Sequence, residues 1–367
     1  MDKYKIFFVF GTRPEAIKMV PIIKKIEKDS RFEYKVILSG QHREMVDSIL
    51  KFFQIKVDYD LNVMIQNQTL SYITSTIISK LENIFIKDIP DMVLVHGDTT
   101  TACATSLAAF YHKISIGHIE AGLRTGNKYS PFPEEMNRQL VDKMSDLYFA
   151  PTDQSKANLL RENYAESKIY VTGNTAIDVL RYTINDSYRH PLFTDNNKII
   201  LVTMHRRENL GKGMFNVFSA LKKIALNYPN VKIVFPVHKN PQVRDIAYEQ
   251  LKNIENIYLI EPLDVFDFHN FCAKAYLILT DSGGVQEEAP SLGIPVLVLR
   301  DTTERPEGVQ SGNLQLIGTK EKRVYEAVSL LLNDNTEYYK MSCVKNPYGD
   351  GHASERILEI IYNYLKR

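Results

Sequence analysis

Asp281-Ser282-Gly283-Gly284-Val285-Gln286-Glu287-Glu288-Ala289 lies between two apolar runs, Ala275 to Thr280 and Pro295 to Leu299. An apolar run of strand length that ends in a polar turn and opens a helix is the repeating joint of a parallel α/β sheet. The glycines let a ligand approach the backbone closely. The N–H groups of the first helical turn face an anion, so the joint can seat a phosphate. Glu288 follows Ser282 by six residues, roughly 9 Å along a helix. Its carboxylate can there accept hydrogen bonds from a ribose diol beyond the phosphates. The same stretch also reads as a plain strand–turn–helix joint with a solvated glutamate pair.

The joint recurs along the chain. Ile6 to Phe10 runs into Gly11-Thr12-Arg13-Pro14-Glu15, and a helical face of Ile17, Val20, Ile23 and Ile26 follows. Thr12 and Glu15 have capping-box spacing, whereas Pro14 at the first helical position puts the cap at Arg13. Arg13 and Lys18 place cations above a strand end, where open α/β sheets bind ligands. Val36 to Ser39 is followed by Gln41-His42-Arg43-Glu44, and Asp91 to His96 ends in Gly97-Asp98-Thr99-Thr100-Thr101. Ile114 to Ile119 runs into Glu120-Ala121-Gly122. The aperiodic stretch Arg124 to Glu135, which holds Glu134, is a long loop of the functional or mobile kind. Leu147 to Ala150 and Ile169 to Thr172 complete a first set of strands.

The pattern then restarts. Lys198 to Thr203 ends in Met204-His205-Arg206-Arg207-Glu208-Asn209, and Val231 to Val237 ends in His238. Ile257 to Ile260, Ala275 to Thr280 and Val296 to Leu299 follow. Asn185 to Asn197 reads as the connection between the halves. Ala353 to Leu365 reads as a tail helix crossing back onto the first domain. The expectation is an α/β protein of two similar domains with a ligand cleft between them. The first spans residues 1–170 plus the returning helix 353–367, and the second spans 171–352.

Composition narrows the function. A chain of 367 residues suits two domains. A net charge of +1 leaves no footprint for nucleic acid or an anionic membrane. Cys103, Cys272 and Cys343 are odd in number and widely spaced, which fits the cytoplasm rather than a disulfide framework. No apolar run reaches membrane length, and the N-terminal run is too short for a signal peptide. His205 and His238 lie in no HxH or HExxH spacing, which argues against a metal site.

Taken singly, each candidate has an ordinary explanation. Asp98 before three threonines reads as an N-cap, Glu120 as a partner of Arg124, and Glu134 as a solvated charge. As a set they divide usefully. Asp98, Glu120 and Glu134 come from the first half, and the phosphate seat comes from the second. That division suits a nucleotide held by one domain while its appended group meets acids and bases of the other.

Six stretches in order carry a resemblance to the non-hydrolysing bacterial UDP-N-acetylglucosamine 2-epimerases over essentially the full length. They are Gly11 to Lys18, His96 to Thr101, Glu120 to Thr125, Pro133 to Arg138, His205 to Asn209, and Asp281 to Glu288. The resemblance implies the GT-B architecture, two Rossmann-like domains with a cleft between them. It implies reversible inversion at C2 of UDP-GlcNAc to give UDP-ManNAc for surface polysaccharide, with no nicotinamide or metal cofactor, in a homodimer. It also implies roles: Asp98, Glu120 and Glu134 as acid/base groups, and His205 acting through the leaving diphosphate. Arg13 and Lys18 are implied as substrate contacts, with Ser282, Gly283 and Gly284 as the diphosphate seat and Glu288 as the ribose contact. Gln41, Arg206, Glu208 and His238 match a second, activating UDP-GlcNAc site of some members. Glu44, Asn67 and Met204 depart from residues found in some relatives. A GT-B glycosyltransferase shares this fold and seat but requires an acceptor. A non-catalytic sugar-nucleotide sensor would bind without turnover.

Overall fold

The computed structural model describes residues 3–41, 43–193 and 197–367, with the backbone alone at 43–45. The described chain falls into two compact units, Met1–Val179 with Gly349–Arg367, and Leu180–Tyr348.

In the first unit the described strands are β1 (Tyr4–Phe10), β2 (Phe32–Leu38), β3 (Tyr59–Asp60), β4 (Met92–His96), β5 (Ser115–Ile119), β6 (Leu147–Ala150) and β7 (Ile169–Val171). They form a parallel sheet in the order β3-β2-β1-β4-β5-β6-β7. The central strands are mostly apolar and almost wholly buried, as expected of a parallel sheet covered on both faces. Phe7, Val9, Val93 and Val95 pack under Ile73, Ile77, Leu81 and Phe85 of the helix Leu70–Lys87. Ala102, Ala104 and Ala108 let the helix Thr100–Tyr111 lie close in the same cluster.

The tail helix Ala353–Leu365 packs within this unit against the helix Arg13–Ile26. The buried carboxylate of Asp178 caps it, taking the Ala353 N–H at 3.1 Å and the Ser354 N–H at 2.7 Å. Tyr362 adds edge-on contacts to Tyr4 and Phe32.

The second unit contains β8 (Lys198–Thr203), β9 (Val231–Pro236), β10 (Ile257–Ile260), β11 (Leu277–Thr280), β12 (Val296–Val298) and β13 (Leu314–Leu316). Its order is β10-β9-β8-β11-β12-β13, again parallel. The helices Lys212–Asn227 and Glu321–Asn333 share one core with it, and the helix Val265–Lys274 belongs to another. The chain is thus α/β, with two Rossmann-like sheets of the GT-B type. Strand order reverses between β1 and β4 in one sheet and between β8 and β11 in the other. Ligands bind beyond the strand ends at such reversals, and Gly11 to Lys18, His96 to Thr101, His205 to Asn209 and Asp281 to Glu288 lie there.

Two sequence boundaries shift. The junction falls at Val179–Leu180 rather than after residue 170, because Val171 still pairs with Ala150 and the helix Thr175–Thr183 runs through it. Within Asn185 to Asn197, Tyr188, Leu192 and Phe193 pack on the second unit's core, so this stretch is part of that unit rather than a linker. Residues 194–196 of it lie outside the described residues. β3, two residues long, and β13, a three-residue Leu-Gln-Leu with an exposed centre, escape the sequence pattern of continuous apolar runs.

Asp178→Ala leaves the tail helix uncapped and is expected to cost about 1–2 kcal/mol. Urea unfolding of the variant beside the wild type measures it, and an unchanged midpoint contradicts the capping role.

Candidate active site

In the first unit Gly11 and Thr12 leave β1, and Thr12 rather than Arg13 is the N-cap of the helix Arg13–Ile26. Glu15 is 1% exposed. Its Oε2 accepts the Gly11 N–H at 3.0 Å, the Thr12 N–H at 2.8 Å and the Thr12 hydroxyl at 2.8 Å, while Oε1 accepts the Thr99 hydroxyl at 2.7 Å. One carboxylate therefore fastens the loop after β1 to the loop after β4. Burial pushes its pKa up to about 7 against the pull of these donors. Gly11 is needed for space: a Cβ there would stand 1.8 Å from Ser39 Oγ.

The expected acid/base residues gather beside this joint. Asp98 follows β4, and Thr99 rather than Asp98 is the cap of the next helix. The Asp98 carboxylate meets the Arg138 guanidinium, and its backbone carbonyl accepts Asn137 Nδ2 at 2.9 Å. Burial raises the Asp98 pKa. Arg138 opposes the rise, and the nearby charges of Glu120 and Glu134 add to it.

Glu120 follows β5 at φ +69°, a left-handed conformation that costs a non-glycine residue about 1–3 kcal/mol. The Glu120 and Ala121 N–H groups hold it there, both donating to the Phe149 carbonyl at 3.1 and 3.2 Å. Its carboxylate pairs with Lys18, not with Arg124, which binds Asp142 and Glu162 instead. His96 Nε2 lies 3.8 Å from Glu120 Oε1 without a hydrogen-bond partner, and burial drives the His96 pKa down to about 3.

Glu134 opens the helix Glu134–Met144, with Oε2 enclosed and unpartnered. Its neighbour Glu135 is wholly occupied by structure. Glu135 accepts the Thr125 and Gly126 N–H groups at 3.0 and 3.2 Å and pairs with Arg138. The long loop is therefore tied down at its start. Behind it, the buried His118 ring spans Asp142 Oδ1 at 2.6 Å and the Gly97 carbonyl at 2.8 Å.

In the second unit the buried Asp281 ends β11 and grips the loop after β8. It accepts the His205 N–H at 3.0 Å, the Arg206 N–H at 2.9 Å and Asn209 Nδ2 at 3.0 Å. Arg206 Nε donates back to the Asp281 carbonyl at 2.9 Å. His205 stacks on His238 with ring centroids 5.3 Å apart, and burial lowers the His238 pKa. Ser282 stands at the N-cap position of the short helix Gly283–Glu288 without a side-chain cap bond, and its own N–H donates to the Thr280 hydroxyl at 2.9 Å. Terminal nitrogens of Arg305 and Arg206 stand 3.7 and 3.8 Å from where a Cβ on Gly283 would lie. Two guanidinium groups thus stand beside Gly283 of the turn, which suits a diphosphate. Glu288 Oε2 faces His269 Nε2 at 3.3 Å.

A family model described as UDP-N-acetylglucosamine 2-epimerase matches residues 24–362. A Bacillus subtilis protein named UDP-N-acetylglucosamine 2-epimerase is 56% identical over 99% of this chain and 97% of its own length. A crystal structure titled putative UDP-N-acetylglucosamine 2-epimerase from Listeria monocytogenes is 50% identical, with TM-score 0.94, over 100% of this chain and 97% of its own. A Neisseria meningitidis UDP-GlcNAc 2-epimerase, solved bound to UDP-GlcNAc, is 48% identical with TM-score 0.88 and covers 98% of this chain and 100% of its own. The chain belongs to the UDP-N-acetylglucosamine 2-epimerase family.

Within this epimerase-family chain the expected site residues fall into two groups, one per unit. Arg13, Lys18, Gln41, Asp98, Glu120 and Glu134 belong to the first, and His205, Arg206, Glu208, His238, Ser282, Gly283, Gly284 and Glu288 to the second. Arg13 is half-buried at the first position of its helix. Gln41 is engaged locally, its Oε1 accepting the Thr101 hydroxyl at 2.8 Å. Glu208 accepts Arg300 Nε at 2.9 Å, and Arg300 also holds Glu304 at 2.6 Å, which lies 3.6 Å from Arg206. Asn67 is exposed, and Met204 is a core residue of the second unit. The Glu44 side chain lies outside the described residues.

Sequence reading assigned no role to Arg138, His118, Asp142, His269, Arg300 or Arg305. Arg138 stands in a quoted motif, but its pairing with Asp98 depends on the fold. Arg305 follows β12, and its place after a strand beside the reversal was the available signal. Among the described residues no group of three or more His, Cys, Asp or Glu is arranged to hold a metal ion, and no helix is long and apolar enough to cross a membrane.

Asp281→Asn replaces one acceptor oxygen by a donor facing backbone N–H groups. It is expected to cost about 1–3 kcal/mol, read by denaturant unfolding, and wild-type stability in the variant contradicts the tether.

Proposed function

We propose that the chain interconverts UDP-GlcNAc and UDP-ManNAc without net hydrolysis. The observation that carries the chemistry is the Asp98 carboxyl, whose pKa is raised by burial, with the charges of Glu120 and Glu134 adding to the rise. A carboxyl with a raised pKa gives and takes a proton more readily near neutral pH than an ordinary aspartate.

The C2 proton of the hexose is not acidic while the glycosidic bond is intact. Departure of UDP from C1 builds oxocarbenium character and acidifies C2–H. A carboxylate removes that proton and leaves a 2-acetamidoglucal with the double bond between C1 and C2. A second acid returns a proton to the opposite face of C2, and the UDP oxygen re-forms the bond to C1. One carboxylate cannot serve both faces, so a set of three suits the reaction better than the single base of a glycosyltransferase. Lys18 holds Glu120 in place, and Arg138 does the same for Asp98.

The second unit's part is to keep UDP bound after the bond breaks. Ser282 with the Gly283 and Gly284 amides and with Arg206 and Arg305 holds the diphosphate, His205 acts on it as it leaves, and Glu288 accepts the ribose hydroxyls. Arg13 contacts the uridine. The resemblance further supports supply of surface polysaccharide in the cytoplasm and a homodimer. Favouring the dimer are Ile86, Ile89, Phe110 and Tyr111, all well exposed near the ends of two packed helices.

Incubation with UDP-GlcNAc alone is the test. UDP-ManNAc is expected with no acceptor added, and absence of any product contradicts the reading. Asp98→Asn, Glu120→Gln and Glu134→Gln are each expected to lower kcat by roughly 100-fold or more while UDP binding persists. Wild-type turnover in all three removes the carboxylate mechanism.

A further inference from the structure

Glu288 is the expected ribose contact, and its carboxylate does not stand alone. It is largely buried, with Oε2 3.3 Å from Nε2 of His269, a residue 3% exposed on the helix Val265–Lys274. Its other oxygen leans toward the turn, 3.9 Å from where a Cβ on Gly284 would lie. The two oxygens are therefore divided, one toward His269 and one toward the seat.

The His269 ring is itself fixed. Nδ1 lies 2.8 Å from the hydroxyl of Thr183, the last residue of the helix Thr175–Thr183. The next residue, Asn270, grips the same place: its Nδ2 donates to the Thr183 carbonyl at 2.8 Å, and its Oδ1 accepts the Asn185 N–H at 2.9 Å. A carboxylate offers only lone pairs, so Nε2 holds it in the state of the ring that carries a proton on that nitrogen. The Thr183 hydroxyl is compatible, since it can give or take a hydrogen bond at Nδ1. The result is a buried line from Thr183 through His269 to Glu288, all within the second unit.

We propose that His269 is a positioning residue, whose Nε2–H holds Glu288 Oε2 so that the carboxylate presents its other oxygen to the ribose diol. Unaided, a glutamate on a six-residue helix would sample several rotamers and lose entropy on each binding event. Held by the ring, it meets the hydroxyls already oriented. The role rests on the nucleotide-sugar reading above and adds to it the means by which ribose is told from a sugar lacking the diol.

The experiment compares the affinity of the full chain for UDP and for 2′,3′-dideoxy-UDP by calorimetry. The wild type is expected to prefer UDP by about tenfold or more, the scale of a charge-assisted hydrogen bond. His269→Phe should lose most of that preference, as should Glu288→Ala, and the double variant should lose no more than either. His269→Gln, which restores a donor, should recover part of it. A merely structural role would weaken both ligands together and leave their ratio unchanged, and that result overturns the proposal. If His269→Phe does not fold, Thr183→Val decides by the same ratio: a fall supports the proposal and an unchanged ratio overturns it. A wild type that binds UDP without preference also overturns it. A wild type that does not bind UDP at all ends the epimerase reading, and this inference with it.

Discussion

A buried carboxylate at the point of strand reversal is the constraint on which each unit's site depends. Glu15 does this in the first sheet, binding the amides after β1 and the Thr99 hydroxyl after β4. Asp281 does it in the second, binding the amides of His205 and Arg206 after β8 from the end of β11. Parallel strands end in loops whose backbone N–H groups have no ladder partner. A carboxyl group with two acceptor oxygens takes several at once, and removing it would leave those donors unsatisfied. The two loops that flank each reversal are thereby held as one piece.

That fastening separates carboxylates by task. Glu15, Glu135, Asp142 and Asp281 are saturated with backbone amides, histidine or arginine and hold loops in shape. Asp98 meets Arg138 and Glu120 meets Lys18, whereas Glu134 has an enclosed, unpartnered Oε2; the charges of Glu120 and Glu134 add to the rise that burial gives the Asp98 pKa. The left-handed backbone at Glu120 is the cost of aiming that side chain from the end of β5, and the amides of Glu120 and Ala121 help to hold it there. Charge alone does not distinguish Glu134 from Glu135. Only the contacts show that one is a strut and the other is not.

Much of this was legible in the sequence. The long apolar runs that end in Gly, Asp, His or Ser gave the sheet class and the strand ends, because strands buried on both faces are predominantly apolar. β3, at two residues, and β13, with an exposed centre, left no such run. The Thr12–Glu15 spacing announced a capping box, yet nothing local reveals that the same carboxylate reaches Thr99, since that bond depends on which strands become neighbours. Arg138, Arg305 and His269 were hidden for the same reason: each acts on a residue far away in sequence. The junction moved because the helix Thr175–Thr183 passes through it without any break in composition.

The central claim is that the C2–H bond is broken and re-formed by carboxylates that exchange protons with water. Turnover of UDP-GlcNAc in deuterium oxide, followed by proton NMR of the hexose, tests it most directly. The account predicts that the C2 proton signal of UDP-ManNAc is lost as deuterium enters from solvent. Product formed with its original C2 proton fully retained would contradict it.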